Sequence, residues 1–252
     1  MTQQAWPNDE TTVEGRSIVK QPRLGQTHTA EGRLDLSAVY VVHHALRRDL
    51  RDFSLAVPAT PLSDSASWKG LRQRWRAFRT AMHHHTQVED AWMWPEVKPR
   101  LSDVETLRTL DAMSAEHRQI VWLLDVVATG FDEILTNPDR AARSLLTENI
   151  QRSRQSILGH LAREEAEALP LVQDHLTEDR WMAAQANAAK EYGLADLRFA
   201  VPWSAREVPA DQFSLAFAHG GVLIRILLAL TRRGFDRKHR VAFRHIPQDS
   251  TT

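Results

Sequence analysis

From Leu36 onward, apolar residues recur in alternating steps of three and four, the signature of one buried face on a helix of 3.6 residues per turn. The first stripe runs Leu36, Val39, His43, Leu46, Leu50, Phe53, Val57. A second runs Leu71, Trp75, Phe78, Met82, His85, Glu89, Trp92; a third Leu110, Met113, His117, Ile120, Leu124, Val127, Phe131; a fourth Leu146, Ile150, Ser153, Ile157, His160, Glu164. The intervals carry helix-ending and helix-starting residues. Pro58 and Pro61 close the first helix, the second starts near Ser67 and stops at Pro95 and Pro99, and Ser102-Asp103-Val104-Glu105 reads as a capping box for the third. Asn137-Pro138 reads as N-cap and first-turn proline of the fourth helix, which ends near Pro170. Short connections make successive helices antiparallel neighbours. The pattern therefore predicts an all-α protein, with an antiparallel four-helix bundle over residues 34–176.

The polar members of these stripes carry the chemistry. His85 and Glu89 are four residues apart, so they leave one helix face one turn above the other, and His160 and Glu164 repeat that spacing 75 residues later. His43 precedes His85 by 42 residues and His117 precedes His160 by 43. Each half thus reads as a helix with one histidine, a loop, and a helix with His-x-x-x-Glu. Burying an unpaired carboxylate costs several kcal/mol, so Glu89 and Glu164 need partners. A buried His–Glu hydrogen bond would explain one such pair; two pairs on equivalent helices favour a metal site. The candidate ligands are His43, His85, Glu89, His117, His160 and Glu164. His44, His83 and His84 fall off the stripes and are left outside that set.

Three more residues sit beside the candidates. Asp90 and Glu165 directly follow the two glutamates, where each could accept the second ring proton of a metal-bound histidine or remain a solvated surface acid. Tyr40, one turn before His43, either packs in the core or reaches the metal.

At these residues the chain resembles the hemerythrin-like family, cation-binding domains with a repeated His…His-x-x-x-Glu pattern, over roughly residues 36–176. The resemblance implies a bundle enclosing a non-haem di-iron centre: two iron ions, oxo- or hydroxo-bridged, held by the six candidates. The family's dioxygen carriers have a fifth histidine, in a His-x-x-x-His on the third helix, where this chain has Val121. They also have a longer His-to-Asp spacing on the fourth helix, where this chain repeats His-x-x-x-Glu. One iron thus lacks a nitrogen donor, and the resemblance implies a centre open to dioxygen, peroxide or nitric oxide, for sensing or turnover rather than reversible carriage. Two other classes stay open: a di-iron oxygenase or oxidase acting on an organic substrate, and an iron-responsive interaction protein.

Composition narrows the chemistry further. No cysteine is present, which excludes disulfides, thiolate zinc sites, iron–sulfur clusters and thiol nucleophiles, and leaves nitrogen and oxygen donors suited to iron or manganese. No histidine has a glutamate three residues before it, as ferritin-like sites require, and no His-Glu-x-x-His marks a zinc protease. Lys+Arg and Asp+Glu balance at 32 each, so no global field favours nucleic acid.

Outside the repeat, residues 1–33 are polar and aperiodic and predict a flexible tail without a signal-type apolar stretch, hence a cytoplasmic protein by default. Residues 177–252 predict a helical extension and a basic tail. Within it, an alanine-rich fifth helix precedes the proline-bounded loop VPWSAREVPA, and a sixth follows in QFSLAFAHGGVLIRILLALTRR, too interrupted for a transmembrane segment. These two helices are expected to dock on the bundle or to form a homodimer contact, with attachment of the sixth to a membrane surface as the alternative.

Overall fold

The computed structural model describes residues 26 and 28–247, together with two short strands, Thr12–Val13 and Arg16–Ser17, which pair antiparallel. The rest of the described chain is helices and their connections. The bundle consists of α1 (Ser37–Ala59), α2 (Ser65–Val88), α4 (Val104–Thr136) and α5 (Arg140–Arg163). Around its perimeter α1 packs on α5, α5 on α4, and α4 on α2. Most of the tail expected over 1–33 lies outside the described residues. Of its described end, Ala30 and Leu34 are buried, and the Leu34 amide donates to Gln173 Oε1 at 2.9 Å.

Helix ends are set by side-chain caps. Asp64, Asp103 and Asp139 each accept a backbone N–H from the first turn of α2, α4 and α5, at 3.1, 2.9 and 2.7 Å. The third helix is therefore capped by Asp103 rather than by a Ser102–Glu105 box. The fourth is capped by Asp139, while Asn137 ends α4 instead. Pro58 is tolerated inside the last turn of α1, which stops at Thr60, one short step beyond the expected end.

Neither ligand-bearing helix stops at its proline. α2 passes into a π-helical segment, Glu89–Met93, then α3 (Trp94–Val97); α5 passes into a second, Glu164–Ala168, then α6 (Leu169–His175). Pro95 and Pro170 occupy the first turn after each π segment. A proline ring in a continuous α-helix collides with the carbonyl four residues back, and a π turn widens the ladder there. The same device appears in both halves, and each time it begins on the candidate ligand carboxylate.

The extension is more segmented than two helices. α7 (Glu178–Lys190) and α8 (Leu194–Ala205) are separated at Tyr192–Gly193, and α9 (Ala210–Ala216) and α10 (Gly221–Ala242) by a short 3-10 turn. The break before α10 depends on Gly221, whose φ of 54° belongs to the left-handed region that suits glycine. The expected loop VPWSAREVPA is half helix, since α8 runs through Pro202 to Ala205. α8 and α10 lie together against α2, and α9 packs on α1.

Two apolar clusters fill the bundle. One is aromatic at its centre: Phe53 meets Trp75, Phe243 and Phe131 with ring centroids 4.9, 5.2 and 6.1 Å apart. The other contains Leu36, Met93, Trp94, Leu110, Met113 and Leu169. The polar layer that holds the candidate ligands belongs to neither cluster.

Candidate metal centre

All six candidate ligands converge in one buried layer. Among the described residues, His43, His85, Glu89 and Glu164 form one group whose ligand-type atoms all lie within 4.8 Å of one another, and Glu89, His117 and His160 form a second. Glu89 belongs to both. Glu164 Oε2 is likewise central, 3.3 Å from His43 Nε2, 3.7 Å from His85 Nε2 and 3.9 Å from His160 Nε2. The four Nε2 atoms, both Glu164 oxygens and Glu89 Oε2 are buried with no hydrogen-bond partner. His117 Nε2 and Glu89 Oε2 are only 3.1 Å apart, yet off the angle a hydrogen bond needs. Buried polar atoms are otherwise almost always satisfied. Seven orphans facing one another, all nitrogen or carboxylate oxygen, are a donor set that could hold a metal ion.

The opposite ring nitrogens are all engaged, which fixes where the free ones point. His43 Nδ1 is 2.7 Å from Glu165 Oε1 and His117 Nδ1 is 2.9 Å from Asp90 Oδ2. These bonds cross between the repeats: the acid of the second half aims the first histidine of the first half, and the reverse. Arg47 grips Glu165 with two bonds of 2.7 and 2.9 Å, and Ser114 donates to Asp90 at 2.6 Å. His85 Nδ1 contacts its own helix's Glu89 Oε1 at 2.9 Å, whereas His160 Nδ1 is 3.0 Å from Glu116 Oε2 on α4. The symmetry fails there because the residue before His43, equivalent to Glu116, is Val42.

Tyr40 packs edge-on to His43, with ring centroids 6.4 Å apart. Its hydroxyl accepts the Ala30 amide at 2.8 Å, and burial, with Glu165 and Glu164 nearby, pushes it up to about 12 despite that bond. His44 is buried but lies outside both ligand groups. Glu116 and Arg47 had no mark in the sequence, because each acts across a helix interface.

Charge in the layer is tightly balanced. Burial opposes a charged His85, but the Glu89 and Glu164 carboxylates outweigh it and raise it to about 10. His117 is likewise lowered by burial yet raised to about 9 by Asp90 and Glu89. For His160 burial, with His117 and His85 nearby, outweighs the pull of Glu164 and Glu89 and holds it down to about 4. Burial pushes Glu164 up, while His43 and His85 pull it well below the usual carboxylate range. Protons on the imidazoles thus balance the carboxylates, and a cation entering the layer must displace them.

A cleft of about 480 Å³ opens beside the layer, lined by Thr86, Gln87, Asp90, His117, Arg118 and Val121. Its presence makes the two crossed acids unequal: the Asp90 side chain is 40% exposed and that of Glu165 is sealed at 0%.

A family model described as the hemerythrin HHE cation binding domain matches residues 35–172, more than half of the chain and the whole of the layer just described. No curated protein and no solved structure gives a significant match.

Proposed function

Because the chain belongs to the hemerythrin HHE cation-binding family, we propose that its buried layer holds two iron ions and there binds dioxygen or a related small oxidant, peroxide or nitric oxide, for sensing or turnover. The observation that carries this reading is the set of orphaned, mutually facing Nε2 and carboxylate atoms. Iron, when bound, would supply ligand exchange and one-electron redox chemistry. The rest falls to the chain. Glu89 joins the two donor groups, and Glu89 and Glu164 bring the negative charge that offsets the cations. Asp90 and Glu165 keep a proton on Nδ1 of His117 and His43, so that each Nε2 lone pair faces inward. The flanking apolar clusters keep bulk water out of the layer.

Val121 sets the kind of ligand access. An imidazole at that position would add a donor one turn from His117; the valine instead lines the cleft beside it. That favours an open centre over a saturated carrier. The same cleft is the one feature in favour of a second reading, oxidation of a small organic substrate seated there.

Metal analysis and the absorption spectrum of the aerobically purified protein test the proposal. About two iron ions per chain with ferric charge-transfer bands are expected. His85→Ala and His160→Ala should each lower that content, whereas His83→Ala and His175→Ala should not. Zinc alone after iron-replete expression, or one metal per chain, would overturn it.

A further inference from the structure

The outward face of α10 is divided along its length. At 100° per residue, Val222, Ile226, Ala229, Leu230, Arg233, Arg237 and Arg240 share the side opposite the buried Phe235 and Ala242. Its first half is apolar and open, with Leu223 69% and Leu230 77% exposed and Val222 and Ile226 more than half exposed. Its second half is cationic. The helix carries Arg225, Arg232, Arg233, Arg237, Lys238 and Arg240 against a single acid, Asp236, which lies 4.0 Å from Arg232. Among the described residues no carboxylate forms an ion pair with Arg225, Arg233, Arg237 or Arg240. Leu215 of α9 adds a further exposed apolar side chain.

We infer that this face docks on a bilayer surface carrying anionic lipid, with the leucine-rich half entering the acyl boundary and the arginine-rich half lying among the headgroups. Charge decides between occupants. A second copy would bring the same arginines and only Asp236, already beside Arg232, to meet them. Nucleic acid would satisfy the arginines but leave the apolar half against water. An anionic interface matches both halves at once. No helix of the described residues is long and apolar enough to cross the membrane, so the contact would be peripheral.

The test is sedimentation of the purified full chain with vesicles of phosphatidylcholine alone or with phosphatidylserine added. Binding is expected only with phosphatidylserine and should weaken as salt rises. Arg233→Gln with Arg237→Gln should reduce partitioning ~30-fold, at the usual contribution of a basic residue near an anionic surface. Leu223→Gln with Leu230→Gln should reduce it on the order of 100-fold. All four positions are exposed, so helical circular dichroism and metal content should not change. Equal binding to both vesicle types, or none to either, would overturn the inference. So would leucine variants that bind as well as the parent, which would reduce the face to a general polyanion patch, or a dimer in solution that the leucine variants dissociate.

Discussion

Glu165 is the residue on which most of the layer's aim depends. It is fully buried, takes His43 Nδ1 and receives both guanidinium bonds of Arg47. Replacing it with Gln keeps the shape but removes the charge that holds the His43 proton and matches Arg47. Residues that orient metal ligands typically change metal affinity by ~10–100-fold. Glu165→Gln is expected to fall in that range by chelator competition, with Glu167→Gln, exposed on the same turn, unchanged. Equal affinities in the two variants would mean that Glu165 serves packing alone. The six clustered residues were legible in the sequence because an i, i+4 pair advertises its own geometry and the repeat doubles it. Asp90 and Glu165 were visible for the same reason, as neighbours in the chain. Glu116 was not, since nothing in a sequence ties position 116 to position 160 before α4 and α5 pack. Tyr40 was legible as a neighbour of His43, but its partner, the Ala30 amide, comes from an aperiodic segment that carries no pattern to read.

Among the elements, α10 shows how the extension is fastened. Asp49 receives two bonds from Arg74, at 2.8 and 3.0 Å, and Arg48 caps the end of α8 by donating to the Trp203 and Arg206 carbonyls at 2.9 and 2.6 Å. Arg74 lies over the Phe199 and Phe235 rings, 5.0 and 4.5 Å from their centroids. In this cationic setting His239 accepts from Arg206 through Nδ1 at 3.2 Å. Burial, then Arg206 and Arg74, push it down to about 3. A histidine lowered on folding stays neutral while the unfolded chain gains its proton, so it favours the fold above about pH 6.5 and costs stability as pH falls towards 3. One such proton contributes a slope of up to ~1.4 kcal/mol per pH unit. His239→Gln keeps an acceptor for Arg206 and should remove that slope, which urea titrations at pH 7, 5.5 and 4.5 would show. Parallel pH profiles for parent and variant would mean that His239 charges freely in the folded state. The bundle helices were readable from their stripes. The π turns were not, because a single widened turn leaves the apolar spacing nearly intact, and the prolines that accompany them read as stops. The split of each C-terminal helix escaped notice because a glycine inside a helical pattern is tolerated as often as it breaks the helix.

At the scale of the whole molecule, the bundle and its extension share buried charges. Arg48 and Asp49 are fully enclosed, and Arg48 and Arg74 would lose partners or cover if α8 and α10 moved away. Breaking a buried ion network of this kind costs several kcal/mol, so the extension should unfold together with the bundle in one transition. The crossed acid-to-histidine bonds impose an order in time as well. As the chain is made, His43 appears early, yet the carboxylate that aims it follows 122 residues later. His117 waits only 27 residues after Asp90, but its companion His160 comes later still. Neither half can therefore present a finished set of donors by itself, and the receptacle closes only when α5 settles between α1 and α4. Ions should then arrive as cargo to a built structure rather than as a seed for building it. Refolding from urea is expected to run at one rate with or without ferrous ion, with loading as a separate later phase in absorbance. A refolding rate that climbs with ion concentration would show fragments capturing metal before the helices meet.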